Sequence, residues 1–318
     1  MEMGYEKMSK VLLTGGAGYV GSILCGRLLD AGMSVTVLDK LDYGIAPLTH
    51  LMNVHMEDKF QCIKGDVRDK QLVKELVNRH DIVLHLAAVV GFPACAADPQ
   101  TATETNIEGS RNVAEAVSKD QIFVYASTGS TYGLVNGVCT EDTPISPLSH
   151  YGCTKAEAEK ICQGAGAACL RFATVFGGSP CMRFDLLINN FVYYAVNKRY
   201  LVIYEGGHRR TFLHVDDAAT SYLLAIKQFG ETRGNVFNVG ADSLNFTKRE
   251  VADAVAKVYP MYVHEAAVGK DADCRNYQVD YMKFASLGFK TEVTLERGIP
   301  EIGEMAALVQ QTNRWRID

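Results

Sequence analysis

The sequence predicts an α/β fold: a doubly wound parallel sheet covered by helices on both faces and joined to a smaller C-terminal lobe. Three observations predict it. Short apolar runs alternate with stretches of helical periodicity from residue 11 onward. The first run breaks into a glycine-rich turn that opens a helix, and a later one breaks into a row of hydroxyl residues ahead of a Tyr-x-x-x-Lys segment.

Val11-Leu12-Leu13 has the unbroken apolar pattern of a strand buried on both faces, and it runs straight into Thr14-Gly15-Gly16-Ala17-Gly18-Tyr19-Val20-Gly21. Val20, Ile23, Leu24 and Leu28 then recur at helical spacing up to Gly32. In this order of strand, turn and helix, Gly15 permits the turn, Gly18 lets backbone approach a pyrophosphate, and Gly21 lets the helix pack closely. Phosphates rest on the helix N-terminus, where unpaired N–H groups and the macrodipole favour negative charge. The turn is therefore read as a dinucleotide cradle of Rossmann type, with Gly15, Gly18, Tyr19 and Val20 on the cofactor.

The second strand, Ser34-Val35-Thr36-Val37-Leu38, ends at Asp39. An acid about 20 residues past the cradle can accept from both ribose hydroxyls, and it repels a 2'-phosphate, so NAD is expected rather than NADP. The neighbouring Lys40 works against that preference. The third strand, Phe60-Gln61-Cys62-Ile63-Lys64, stops at Gly65-Asp66-Val67, where Asp66 is placed to accept from the adenine amino group, with Val67 beside it. The fourth, Ile82-Val83-Leu84-His85-Leu86, enters Ala87-Ala88-Val89-Val90-Gly91. Small residues at a strand's carboxyl end suit a cofactor lying on backbone, which assigns Leu86, Ala87 and Ala88 to it. His85 reads as a core histidine.

The fifth strand, in Phe123-Val124-Tyr125-Ala126-Ser127-Thr128, is followed by Gly129-Ser130-Thr131-Tyr132-Gly133 and then by Tyr151-Gly152-Cys153-Thr154-Lys155. The Tyr and Lys fall on one helix face, one turn apart. A second copy of the spacing, Tyr194 with Lys198, has no such strand end before it and reads as packing. Free tyrosine titrates near 10, and an ammonium one turn away together with a positive nicotinamide would favour its phenolate. The residues therefore predict alcohol oxidation. Tyr151 takes the hydroxyl proton while hydride leaves the same carbon, Lys155 supports the phenolate and reaches the cofactor ribose, and Thr128 donates to the substrate oxygen, with Ser130 beside it.

The chain has 318 residues, 47% of them hydrophobic, enough for one large core or two interleaved lobes. Residues 1–172 with 210–240 are expected to form the sheet domain, including a helix from Asp216 to Phe229. Residues 173–209 with 241–318 are expected to form the smaller lobe, and the site lies in the cleft between them. The net charge of −5 and pI near 5.9 provide no basic footprint for nucleic acid. No apolar run approaches the roughly 18 residues of a membrane span, and no signal segment precedes Val11. Nine cysteines without a Cys-x-x-Cys point to reduced thiols in the cytoplasm, with neither a disulfide framework nor a metal site.

With these residues in hand, the chain resembles the extended short-chain dehydrogenase/reductases, the NAD-dependent epimerase/dehydratase family acting on nucleotide sugars. The likeness runs through Thr14 to Gly21, Asp39, Gly65-Asp66, His85 to Ala88, Asn106, Ser127 to Gly133, Tyr151 with Lys155, and Arg210-Thr211-Phe212-Leu213-His214-Val215-Asp216-Asp217. It implies a nucleotide-diphosphate sugar as substrate, with Arg210 and Arg275 as a clamp on its diphosphate, as suits a bidentate guanidinium. It also implies a role for Asn189 or Asn190 on the diphosphate or sugar, and Arg183 either shares that role or holds Asp185. Two helices, Thr103 to Val117 and Tyr151 to Gln163, resemble the pair that forms a homodimer contact in the family.

One departure narrows the reaction. The family's 4,6-dehydratases carry Asp-Glu directly after the threonine, and here Gly129 and Ser130 stand there. Oxidation at C4 needs only Thr128, Tyr151 and NAD, which leaves a 4-epimerase or a 4-dehydrogenase. The segment Arg171 to Gly177 with Ser179 to Asp185 is also similar to GDP-heptose 4-dehydrogenases. Cys95 faces the sugar as a proton shuttle or else packs, and packing is the expectation. A non-catalytic dinucleotide sensor is the rival of another class, and the retained Tyr151 and Lys155 argue against it.

Overall fold

In the computed structural model, residues 9–54, 59–135, 137–267 and 278–309 are described. Seven strands form the main sheet: β1 (Lys10–Thr14), β2 (Ser34–Asp39), β3 (Phe60–Lys64), β4 (Ile82–His85), β5 (Ile122–Thr128), β6 (Ala168–Phe172) and β7 (Val236–Val239). Their order is β7-β6-β5-β4-β1-β2-β3, with every adjacent pair parallel. The order reverses direction between β1 and β4, which opens a crevice at their carboxyl ends.

The burial of each strand follows from its place. Central β1 and β4 bury nearly every residue, as parallel strands covered on both faces must, whereas edge strand β3 leaves its side chains partly exposed. Alternation divides the core. Val11 and Leu13 join Leu24, Leu28 and Tyr222 on the face covered by α1 (Tyr19–Asp30) and α6 (Val215–Lys227). Leu12 and Val83 join Val73, Val113 and Ala158 on the other face, under α2 (Lys70–Val77), α3 (Ser110–Ala116) and α4 (His150–Gly164).

A separate apolar cluster includes Phe184, Ile188, Val192, Phe212, Val251 and Ile299, contributed in part by α5 (Leu187–Asn197) and α7 (Leu295–Leu308). Within residues 210–240, only β7 enters the main sheet. The strand Arg209–His214 pairs instead with Thr174–Phe176 and Asn245–Thr247 in a three-stranded sheet. The helix expected from Asp216 starts at Val215, where the His214 ring accepts from the Asp216 N–H, and it ends at Lys227.

The helix expected over Thr103 to Val117 is three pieces: Pro99–Thr103, a wider π turn at Glu104–Gly109, and α3. The π turn carries Asn106, and such insertions collect where a helix must present a side chain off its regular path. Among the described residues no helix is long and apolar enough to cross a membrane.

Candidate active site

The glycine turn after β1 is built for close approach. Gly15 has φ +76°, and a Cβ there would stand 2.7 Å from the Ala87 backbone nitrogen, so the first turn and the end of β4 touch through bare backbone. Helix α1 has Gly18 as its N-cap residue, with no side-chain cap and no acid in its first turn, which leaves its N–H groups and positive end for an anion. Asp39 is pinned by two donors, Ala17 N–H to Oδ2 at 3.0 Å and Leu41 N–H to Oδ1 at 2.8 Å. Burial raises its carboxyl above the ordinary value, and these two bonds work against that rise.

A chain of hydroxyls joins the two strand ends. Ser110 donates to Asn106 O at 2.6 Å, so its oxygen takes the His85 Nε2–H at 2.9 Å, and Nδ1 accepts from Thr14 at 2.7 Å. The Thr14 oxygen in turn receives the Ala87 N–H. His85 is fully buried, and burial holds its pKa down at about 3, so it is a neutral scaffold piece, as expected of it.

The Tyr-x-x-x-Lys segment sits on α4. Ser149 caps it by accepting from Gly152 N–H at 3.1 Å, which puts Tyr151 in the first turn, at the positive end of the helix dipole. A Cβ on Gly152 would lie 3.0 Å from Ser130 O, so this glycine lets the helix press against the turn that carries Thr128 and Ser130. Thr128 accepts from Ser130 N–H at 3.2 Å and donates to Ser130 Oγ at 3.2 Å. Lys155 is buried, with Nζ 4.2 Å from the centre of the Tyr125 ring, and burial brings its pKa down to about 8. Tyr194 and Lys198 make no second site, because α5 ends at Asn197 and Tyr194 packs on the Tyr193 and Tyr200 rings.

One cavity of about 800 Å³ collects most of these groups. Its wall includes Gly15, Gly18, Tyr19, Val20, Asp39 and Val67 toward one end, Leu86, Ala87 and Ala88 along the middle, and Thr128, Ser130, Tyr151 and Lys155 toward the other. A dinucleotide fits this set: a backbone cradle, a capless helix end, and a pinned carboxylate at the ribose position.

Several expected residues lie elsewhere. Asp66 is off the wall and is held by the Arg68 guanidinium at 2.8 and 3.0 Å; burial raises its carboxyl, and the Arg68 bonds more than offset this, leaving it below the ordinary value. Asn189 is fully buried with its amide spent: it accepts from Gly177 N–H and donates to Tyr19 OH and Arg183 O. It positions the Tyr19 ring, whose hydroxyl donates to Gly177 O at 2.7 Å. Asn190 is off the wall too, and donates to Phe184 O.

Arg210 is only 3% exposed on the strand Arg209–His214 and is off the wall, although Thr174 and Val175 of the strand paired with it reach the cavity. Arg275 lies outside the described residues. The Cys95 thiol is buried against Val89 O at 3.3 Å and off the wall; burial pushes it up to about 11, so it packs rather than facing a sugar.

The wall also holds Arg183, which the resemblance offered either to the substrate or to Asp185, and residues that the sequence pattern did not single out. Arg183 lines the cavity, doubly bonded to Asp185 at 3.0 and 2.5 Å and near enough to Tyr151 to sense a phenolate. Thr105 and Tyr222 line it as well, and neither has a sequence signature, since each belongs to a helix whose spacing speaks only of packing. Among the described residues no cluster of His, Cys, Asp or Glu is gathered for a metal.

Comparison with known proteins decides the family. A match to the NAD dependent epimerase/dehydratase family spans residues 11–240. The chain belongs to that family. It is an NAD-dependent enzyme that modifies nucleotide sugars, of the extended short-chain dehydrogenase/reductase type. It is 28% identical to a dTDP-glucose 4,6-dehydratase of Streptomyces niveus over 93% of this chain and 92% of that one. A protein named as a putative UDP-glucose 4-epimerase of Methanocaldococcus jannaschii is also 28% identical, over 92% of this chain and 96% of its own. The UDP-glucuronic acid 4-epimerase of Bacillus cereus, solved with UDP-glucuronic acid and NAD, superposes with a TM-score of 0.84 at 25% identity, covering 93% of this chain and 98% of that one.

Proposed function

We propose that this family member is a nucleotide-sugar 4-epimerase. The observation that carries the reading is the absence of an acid at the reacting end of the cavity. Gly129 and Ser130 follow Thr128, and the acidic side chains in the described wall are Asp39 and Asp42, both near the cradle. Elimination of water between C5 and C6 needs a base and an acid beside those carbons, and no carboxylate here stands in for them.

The remaining chemistry is oxidation at C4 and return of the hydride to the opposite face. Bound NAD supplies the hydride acceptor. Tyr151 takes the C4 hydroxyl proton, supported by the α4 dipole, the Lys155 ammonium and the Arg183 guanidinium. On substrate binding the Thr128 hydroxyl hydrogen turns from Ser130 Oγ to the same substrate oxygen, while the Ser130 N–H holds the Thr128 oxygen in place. A nucleoside diphosphate sugar is supported by the UDP and dTDP sugars in the names of the relatives. We further propose a homodimer through α4 and the Pro99–Ala116 region, which lie side by side on one face of the sheet; light scattering tests it.

The deciding experiment offers UDP-, GDP-, CDP- and dTDP-sugars to the enzyme and follows reduced-cofactor absorbance and product stereochemistry. Inversion at C4 without net NADH is expected. Stoichiometric NADH with a 4-keto product would mean the 4-dehydrogenase that the Arg171–Asp185 likeness favours, and a 4-keto-6-deoxy product would overturn both.

A further inference from the structure

Tyr222 is fully buried on α6, forms part of the cavity wall, and has a hydroxyl with no hydrogen-bond partner. A hydroxyl left unpaired in the interior loses its hydration with nothing in return, so native structures rarely keep one without a group that completes it. The α6 helix gains nothing from the hydroxyl, since phenylalanine would fill the same packing position against Phe172, whose ring centre is 5.5 Å away.

The location says which group completes it. Phe172 ends β6 and is paired in register with Thr128, and Ala173, Thr174 and Val175 continue the wall from there. Burial pushes the Tyr222 phenol up, and Tyr151 is near enough to push it further. The oxidised carbon must sit within hydrogen-bonding reach of Tyr151 through its oxygen, and about 3–3.5 Å from the ring that receives its hydride. That ring therefore stands beside Thr128 and Phe172, at the Tyr222 end of the cavity and far from Asp39. Its polar substituent is a carboxamide; the side chains of Phe172, Ala173 and Val175 offer it nothing to bond, and of the two hydroxyls there, Thr174 and Tyr222, the fully buried one without a partner is Tyr222.

We propose that the Tyr222 hydroxyl is a hydrogen-bond partner of the nicotinamide carboxamide and sets the orientation of the ring. The inference rests on the family's NAD dependence and on the role proposed above for Tyr151, and not on the outcome at the sugar.

The test measures binding to the nucleotide-free full chain by calorimetry, with NAD and with ADP-ribose, which lacks the nicotinamide. Tyr222→Phe should weaken NAD by about 5- to 10-fold, the size of one hydrogen bond, and leave ADP-ribose unchanged. The ligand-free Tm should hold or rise, because the variant removes an unpaired polar group. Unchanged NAD affinity would overturn the proposal, as would a parallel loss for both ligands, which would mark Tyr222 as packing alone. No sugar enters the experiment, so its failure is separate from failure of the 4-epimerase reading.

Discussion

Asn106 Nδ2 donates to Thr154 Oγ1 at 3.0 Å while the same side chain brackets Val89, accepting its N–H at 2.7 Å and donating to its carbonyl at 3.0 Å. Thr154 passes the connection to Tyr151 O, so one amide ties the loop after β4 to the turn bearing the reactive tyrosine. Asn106→Ala should cost about 2–4 kcal/mol by urea unfolding, the sum of three buried bonds, and should lower kcat more than it raises the KM for the sugar. A variant with wild-type kcat would show that the loop and α4 hold their places without the amide.

Tyr151→Phe removes the proton acceptor and leaves the cavity shape unchanged. Turnover should fall by about 10²–10⁴-fold with NAD affinity preserved, read from initial rates and cofactor titration. Retained activity would take Tyr151 out of the mechanism.

Asp39 is oriented by Ala17 and Leu41, with lone pairs left for ribose hydroxyls. In Asp39→Ala, NAD should bind about 10- to 100-fold more weakly and the NADP-to-NAD preference should rise, checked by direct competition. An unchanged preference would remove the ribose contact.

Behind the site, the buried Arg171 guanidinium grips Glu159 at 2.6 and 2.9 Å, and Ser127, in the cavity wall, donates to the same carboxylate at 2.5 Å. Arg171→Met should cost about 3–5 kcal/mol, because it strands a buried carboxylate, and adding Glu159→Leu should recover much of that loss. If chemical denaturation finds the double variant no more stable than the single one, the cost lies in packing rather than in the stranded charge.

His85 titrates at about 3 when folded against 6.5 as a free side chain, because burial disfavours the imidazolium. The unfolded chain therefore binds the extra proton between those values, and stability present above pH 6.5 falls as the pH drops toward 3, by up to about 1.4 kcal/mol per unit. Unfolding curves for His85→Asn across this window should show a shallower acid limb than the parent. Equal slopes would mean that the ring is not kept neutral.

Much of the cofactor half was legible because it depends on local geometry. Gly15, Gly18 and Asp39 act through a turn and a strand end, and their spacing along the chain is their spacing in space. Tyr151 and Lys155 were legible for the same reason, one helical turn carrying both. Asn189 shows where such reading stops. Its position in a segment that resembles the family's substrate-binding region is visible in the sequence, but the Tyr19 hydroxyl that claims its amide comes from 170 residues away. Arg210 was read from its motif, and only strand pairing shows that its strand joins the second sheet.

By itself the sequence determined a parallel sheet with a glycine-rich turn after its first strand, an acid at the end of the second strand and a Tyr–Lys pair on one helix face, and it determined the lack of an acid directly after Thr128, because each is written in a few consecutive residues. Tertiary structure alone decided that Arg183 and Tyr222 reach the cavity and that Asp66, Cys95 and Asn189 are spent on neighbours. Those outcomes depend on which distant segments pack together, and burial sets whether a polar atom is free to meet a ligand only after the whole chain has closed around it.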